Sequence, residues 1–229
     1  MESVDLTERF SPDEYDIWFT TDEHGRTVQA EINWDGTRQQ IGNGETARNG
    51  YRVSGETYKE HQKYIDSVAG DDVYIHKESG QKWVPAHYHG DDFIEFIGWF
   101  VTEGSTYVSQ RKEYESTTRG VTHQINIEQY PGADADQIRA LLDRMGIDYY
   151  DGDTSFTFTS QIFTELLDDL CGSGSQNKQL PDFIWETSVE QKQLLFDTLI
   201  AGDGDTRSTS HRYSTKSEQL RDDIIELCV

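Results

Sequence analysis

Two textures divide the chain. Residues 1 to about 90 are polar, with short strand-like runs at Asp16-Ile-Trp-Phe-Thr20 and Asp72-Val-Tyr-Ile-His76. Turn-rich stretches such as Asn33-Trp-Asp-Gly36 and Gly42-Asn-Gly44 separate them, which predicts a small β-rich extension. From Asp91 the apolar positions close up. Phe93-Ile-Glu-Phe-Ile-Gly-Trp-Phe-Val-Thr102 reads as a helix, capped by Asp91 and Asp92 and ended by Glu103-Gly104. Tyr107–Glu113 and Val121–Gln129 then alternate with a period near two on either side of a Ser/Thr/Gly turn, the pattern of a hairpin. Ile138, Leu141, Leu142 and Met145 return to helical spacing within 135–145. A second hairpin pairs Asp148–Tyr150 with Ser155–Thr159, and Ser160 caps a helix that stops at Gly172. The predicted order is helix, two strands, helix, two strands, helix.

The pattern then restarts. Lys178-Gln-Leu-Pro181 and an aromatic segment, Phe183-Ile-Trp185, lead into an apolar helix from Ser188 to Gly202. A strand-like stretch at 208–214 and a helix over 217–227, with Leu220, Ile224 and Leu227 on one face, repeat the opening of the first unit. The expected division is an N-terminal extension over 1–90, a first repeat over 91–187 and a second, shorter repeat over 188–229.

The two restart points carry the candidate chemistry. Phe96-Ile-Gly-Trp-Phe-Val-Thr-Glu-Gly104 and Phe196-Asp-Thr-Leu-Ile-Ala-Gly-Asp-Gly204 each place small residues four apart, Gly98 with Thr102 and Thr198 with Gly202, and each closes on an acid and a glycine. Small residues at that spacing share a helix face and let two backbones approach, so the helices are expected to cross with their C-terminal ends together. Glu103 and Asp203 would then meet at the negative ends of two helix dipoles, a costly arrangement unless a divalent cation lies between them. Hard oxygen donors with room for water and phosphate suit Mg²⁺. Such a site beside a nucleic-acid backbone hydrolyses phosphodiesters. The hairpin strands after each helix are expected to form a saddle for double-stranded DNA, with Arg111, Lys112, Arg119, His123, Arg207, Arg212 and Lys216 on phosphates and base edges.

Charge complicates this picture. Forty-three acidic residues against 20 basic ones give a formal charge of -23, which argues against a polyanionic partner. The acids are spread along a chain rich in aromatic residues, so they read as the solvated coat of a folded protein adapted to concentrated salt, as in halophiles. Two cysteines, Cys171 and Cys228, are too few for a disulfide framework and read as packed thiols in a reducing interior. No apolar stretch reaches the length of a membrane span and the first 19 residues lack a secretory pattern, so a cytoplasmic protein is expected. His87-Tyr-His89-Gly-Asp91-Asp92 offers transition-metal donors, but a linker before a helix explains it more simply. Asp151-Gly-Asp153 and Asp203-Gly-Asp205 lack the rest of a calcium loop and read as turns.

The paired nonapeptides, the Lys178-Gln-Leu-Pro181 segment and Tyr213-Ser-Thr-Lys-Ser217 before a helix resemble the LAGLIDADG, or dodecapeptide-type, homing endonucleases, especially those carried in inteins. The resemblance covers roughly residues 92–229. It implies an α+β fold of pseudo-twofold αββαββα repeats, two central crossed helices and saddle-shaped antiparallel sheets. It also implies site-specific double-strand DNA cleavage with Glu103 and Asp203 as catalytic metal ligands, and Lys178 as a basic residue near the centre. Glu103 departs from the usual Asp and keeps a carboxylate. Thr198 stands where a glycine is usual and is expected to loosen the crossing. The second copy runs only from Gly204 to Val229. Half of its saddle is therefore expected to be missing, to be supplied by a continuation or a partner chain if at all, and the protein is otherwise expected to be a monomer. With no Cys, Ser or Thr at position 1 and no C-terminal His-Asn pair, splicing is not expected. The rival readings are a DNA-binding remnant that does not cut, an RNA-maturase-like binder, and an interaction module without a nucleic-acid role.

Overall fold

A computed structural model of the chain describes residues 1–32, 37–41, 48–70, 72–77, 82–109, 112–114, 117–119, 121–207 and 210–228. The turn text at 33–36 and 42–44 lies outside them. The fold is α+β, with helices packed on antiparallel sheets. It divides into two compact units, Asp5–His87 and Met1–Val4 with Tyr88–Val229. At the boundary β1 (Ser3–Asp5) pairs with β7 (His87–His89).

Asp5–His87 is more than a β-rich extension. Its five-stranded sheet runs β3 (Thr37–Ile41), β4 (Arg48–Ser54), β2 (Asp16–Phe19), β5 (Val73–His76), β6 (Val84–Pro85) in spatial order, every pairing antiparallel. Both strand-like runs read from the sequence are present. Two helices were not legible there, α1 (Gly25–Glu31) and the 15-residue α2 (Gly55–Ala69). Ser54 caps α2 by accepting from the Thr57 amide at 3.2 Å, and Tyr58 and Ile65 bury its inner face. Nearby, Asp5 accepts from the Thr7 hydroxyl at 2.7 Å and faces His87. Burial alone would raise its carboxyl, but the bonds from His87 and Thr7 outweigh that and hold it at about 2.

The other unit keeps the predicted alternation of helices and strands, although four strands stand where Tyr107–Glu113 and Val121–Gln129 were expected to form two. Helix α3 (Gly90–Glu103) begins earlier than Asp91 and Asp92 suggested, because His89 is the extended N-cap residue and the two acids occupy the first turn. There they favour the positive end of the helix dipole. Asp92 accepts from Arg144 at 2.9 Å and Asp91 from Gln191 at 2.7 Å, so side chains of this unit engage both. β8 (Gly104–Val108) pairs with β11 (His123–Glu128), beyond which β9 (Lys112–Tyr114) and β10 (Thr117–Arg119) form an inner hairpin. α4 (Ala133–Arg144) leads to β12 (Tyr150–Asp151) and β13 (Ser155–Thr159), completing a sheet ordered β12-β13-β11-β8. α5 (Gln161–Cys171) starts at the Ser160 cap, whose hydroxyl accepts from the Phe163 amide.

One face of that sheet builds the core. Ile125, Ile127, Phe156 and Phe158 are buried against α3, where Phe96 meets Phe163 edge-on at 5.5 Å. After a 3-10 turn at Asp182–Glu186, α6 (Val189–Asp203) starts with Ser188 and Gln191 capping each other. The hairpin β14 (Gly204–Arg207) with β15 (Ser210–Tyr213) and helix α7 (Glu218–Leu227) follow. α7 is tied to the segment before α6: Ser217 Oγ donates to the Lys178 carbonyl at 2.6 Å, and the Leu180 amide donates to Asp223 at 2.8 Å. Cys171 is buried as expected, whereas Cys228 is exposed because it follows the last turn of α7. Among the described residues no helix is long and apolar enough to cross a membrane.

Candidate metal centre and nucleic-acid face

The site starts from the contact between α3 and α6. A side-chain carbon placed on Gly98 would stand 2.7 Å from the Thr198 methyl, and one on Gly202 would collide with the Thr102 hydroxyl. Glycine on one helix faces threonine on the other at both levels, which is what lets the backbones approach. Thr198 therefore fills the space over Gly98, at 2% exposure, and does not loosen the crossing. Each threonine satisfies its hydroxyl within its own helix, Thr102 donating to the Gly98 carbonyl at 3.0 Å and Thr198 to the Leu194 carbonyl at 2.9 Å.

This crossing brings Glu103 and Asp203 together at the two helix ends. Burial raises the Glu103 carboxyl above its ordinary value, and the charges of Asp203, Glu128 and Asp134 raise it further. Burial also raises Asp203. Tyr213, which pairs with Gly204 across the second hairpin, feels both acids. Burial and then those two charges push its phenol upward, and its hydroxyl is buried without a hydrogen-bond partner. Among the described residues no three His, Cys, Asp or Glu converge as a complete ligand set. Two carboxylates next to an unpaired phenol oxygen are an all-oxygen donor set that fits a hard divalent cation, with water and substrate oxygen completing the shell.

Lys178 lies on the Asp203 side and is 5% exposed. Its Nζ donates to the Phe100 carbonyl at 2.9 Å, near the end of α3, and sits over the Phe100 ring. Burial lowers its ammonium to about 8, against the weaker opposing effects of Cys171 and Asp168. An amine poised this near neutrality can exchange a proton with a reacting group.

The basic residues expected on the saddle fare unevenly. Arg111 lies outside the described residues, and Lys112, Arg119 and Arg207 are placed by their strands alone. Arg212 and Lys216 are exposed. His123 does not face outward: strand alternation puts it with Ile125 and Ile127 on the core side, where its Nδ1 is buried. The same alternation assigns the open face to residues that charge-based reasoning passed over. Tyr107 lies opposite Gln124, Asn126 between Ser105 and Thr157, and Tyr150 opposite Thr157. Thr157 donates to the Asn126 side-chain oxygen at 2.6 Å, and Tyr107 and Tyr150 are 63% and 72% exposed. In a chain of net charge -23, this face is built mainly from neutral donors, acceptors and aromatic rings. Its signal in the sequence was the period-two alternation itself.

No protein-family model matches the chain. Over 139 residues, 60% of its length, it is 24% identical to a DNA polymerase of Thermococcus sp. (strain GE8), and the match covers 8% of that protein. Over 140 residues it is 24% identical to an ATP-dependent Clp protease proteolytic subunit of Chlamydomonas moewusii, covering 14% of it. The chain thus spans only a small fraction of these relatives. Among solved structures it is similar to the homing endonuclease I-DmoI in complex with DNA and Mn, with a TM-score of 0.41 and 13% identity over 60% of this chain and 75% of that one. For the complex of I-DmoI with DNA and Ca the TM-score is 0.42, over 60% of this chain and 70% of that one.

Proposed function

We propose that the protein is a site-specific DNA endonuclease of the LAGLIDADG homing type, dependent on a divalent cation and derived from an intein. The observation that carries this reading is the pair of carboxylates set side by side by a glycine-threonine helix crossing, next to a sheet face of neutral hydrogen-bonding groups. A match of about 140 residues to both a polymerase and a protease subunit supports a portable segment whose activity is separate from that of its hosts.

Glu103 and Asp203 would hold the cation, Mg²⁺ being favoured by the oxygen donors. When bound, it supplies Lewis-acid stabilisation of charge on the phosphate oxygens. Lys178 in its amine form takes the proton of the attacking water. Tyr107, Gln124, Asn126, Thr157 and Tyr150 present donors, acceptors and ring faces to base edges in the major groove. Arg111, Lys112, Arg119, Arg207, Arg212 and Lys216 contact phosphates and fix the register. The two halves of 88–229 act as successive repeats, each contributing one acid. The acidic remainder belongs to a protein that works in concentrated salt.

The test is cleavage of a randomised duplex library with Mg²⁺, at low and high KCl, by the protein and by a Glu103→Gln, Asp203→Asn double variant. Discrete cuts lost by at least about 100-fold in the variant support the reading. Retention of DNA without cutting by either protein replaces it with a binding remnant.

A further inference from the structure

On the open face of the sheet that follows α3, one rung crosses four strands. Ser105 of β8, Asn126 of β11, Thr157 of β13 and Tyr150 of β12 lie side by side in register. Two of them are joined: the Thr157 hydroxyl donates to the Asn126 side-chain oxygen at 2.6 Å. That length belongs to an O–H···O bond and is short for an N–H···O bond, so it identifies which end of the amide faces Thr157. A β-branched side chain has few χ1 choices, and both partners are half-buried, so the bond holds the amide in one orientation. Oδ1 is committed to the sheet, and the two hydrogens of Nδ2 are presented to whatever lies on the face.

An asparagine that reads adenine uses both ends of its amide, Oδ1 accepting from N6 and Nδ2 donating to N7. Guanine asks only for donors, because its N7 and O6 both accept. With Oδ1 engaged by Thr157, an adenine amino group would meet the amide hydrogens, donor against donor. We infer that Asn126 is a guanine-reading residue and that Thr157 is the positioning residue that makes it one. This rests on the nuclease reading above, of which it specifies one base of the target. The selectivity comes from a bond inside the protein, made before any DNA arrives, and Thr157 acts on the base through Asn126.

The experiment selects by binding, so that it does not depend on cutting: the full chain retains duplexes from a randomised library in Ca²⁺, and the retained DNA is sequenced. The native chain is expected to show one position, erased in Asn126→Ala, where guanine exceeds adenine at least about tenfold. Thr157→Val keeps the side-chain shape and removes the hydroxyl, so the amide can turn over. Adenine should then come within about twofold of guanine, at that position alone. Thr157→Ser keeps the donor and should keep the preference. Asn126→Asp, which offers acceptors only, should move the preference to cytosine. If the bond served only the fold, Thr157→Val would weaken retention without changing the base chosen. That outcome overturns the inference, as does an adenine in place of the guanine or no position that depends on Asn126. Each of these leaves the nuclease reading in place, because the native chain still selects bases elsewhere. Retention by the native chain with no base preference at any position, or no retention at all, removes both.

Discussion

Helices α3 and α6 share a crossing motif yet are embedded differently. In α3 every residue from Phe93 to Val101 is buried, under a four-stranded sheet and two further helices. In α6 only Gln191, Leu195, Thr198 and Leu199 are buried, while Leu194, Phe196 and Ile200 are half-covered and Val189 is 78% exposed. The difference shows that one motif can rest on two sources of stability. α3 is held by its surroundings on all sides. α6 is held mainly by α3, and α3 therefore bears the cost of keeping two acids at neighbouring helix ends.

The sharpest way to break this comparison is to truncate the equivalent phenylalanines. Phe96→Ala is expected to cost about 3–5 kcal/mol by denaturant unfolding, the range for a buried aromatic side chain. Phe196→Ala should cost less, about 1–2 kcal/mol, because its ring is only partly buried before the change. Equal losses would mean that α6 is as deeply supported as α3.

Next in size is the response to a divalent cation. Both helix-end acids titrate above their ordinary values, so they stabilise the fold when protonated, and that contribution is lost as pH rises through their raised folded values. A bound cation should add stability, by about 2.7 kcal/mol at a hundredfold excess over Kd. Thermal unfolding should shift upward with Mg²⁺ in the native chain. The Glu103→Gln, Asp203→Asn variant should start higher and not move.

A smaller effect sits in the seam. Gly98→Ala places a carbon against the Thr198 methyl and should cost about 2 kcal/mol as an overpacked contact. Adding Thr198→Gly should recover most of it, and absence of coupling in that cycle would show that the helices do not meet there.

The smallest is a slope. Lys178 titrates at about 8 in the folded chain against an ordinary 10.5, so the unfolded chain binds more protons between those values. The contribution of this residue to stability should rise with pH across that window and vanish in Lys178→Met.

How legible each part was follows from how local its signal is. Ser160, Ser188 and Ser217 announced helix starts because a cap is a one-residue device, and the two nonapeptides announced the crossing because small residues four apart have few other uses. Helix α2 was missed although Ser54 and Gly70 bracket it, since Tyr58 and Ile65 lie two turns apart among charged residues. Lys178 stood out by its place in the Lys178–Pro181 segment. Tyr213 did not, because what makes it notable is the pair of acids that the fold brings to it from elsewhere. The sheet face was hidden by its neutrality: a search for positive charge passes over Gln124 and Asn126 and selects His123, which strand alternation turns inward.

The glycine-threonine contacts also bear on partner choice. Gly98 meets Thr198 and Thr102 meets Gly202, so each level of the seam holds one large and one small residue. Two copies of α3 brought together in the same way would set Gly98 against Gly98 and Thr102 against Thr102, a void at one level and a collision at the next. Two copies of α6 would make the opposite pair of errors. The seam therefore favours α3 against α6 over either helix against a second copy of itself.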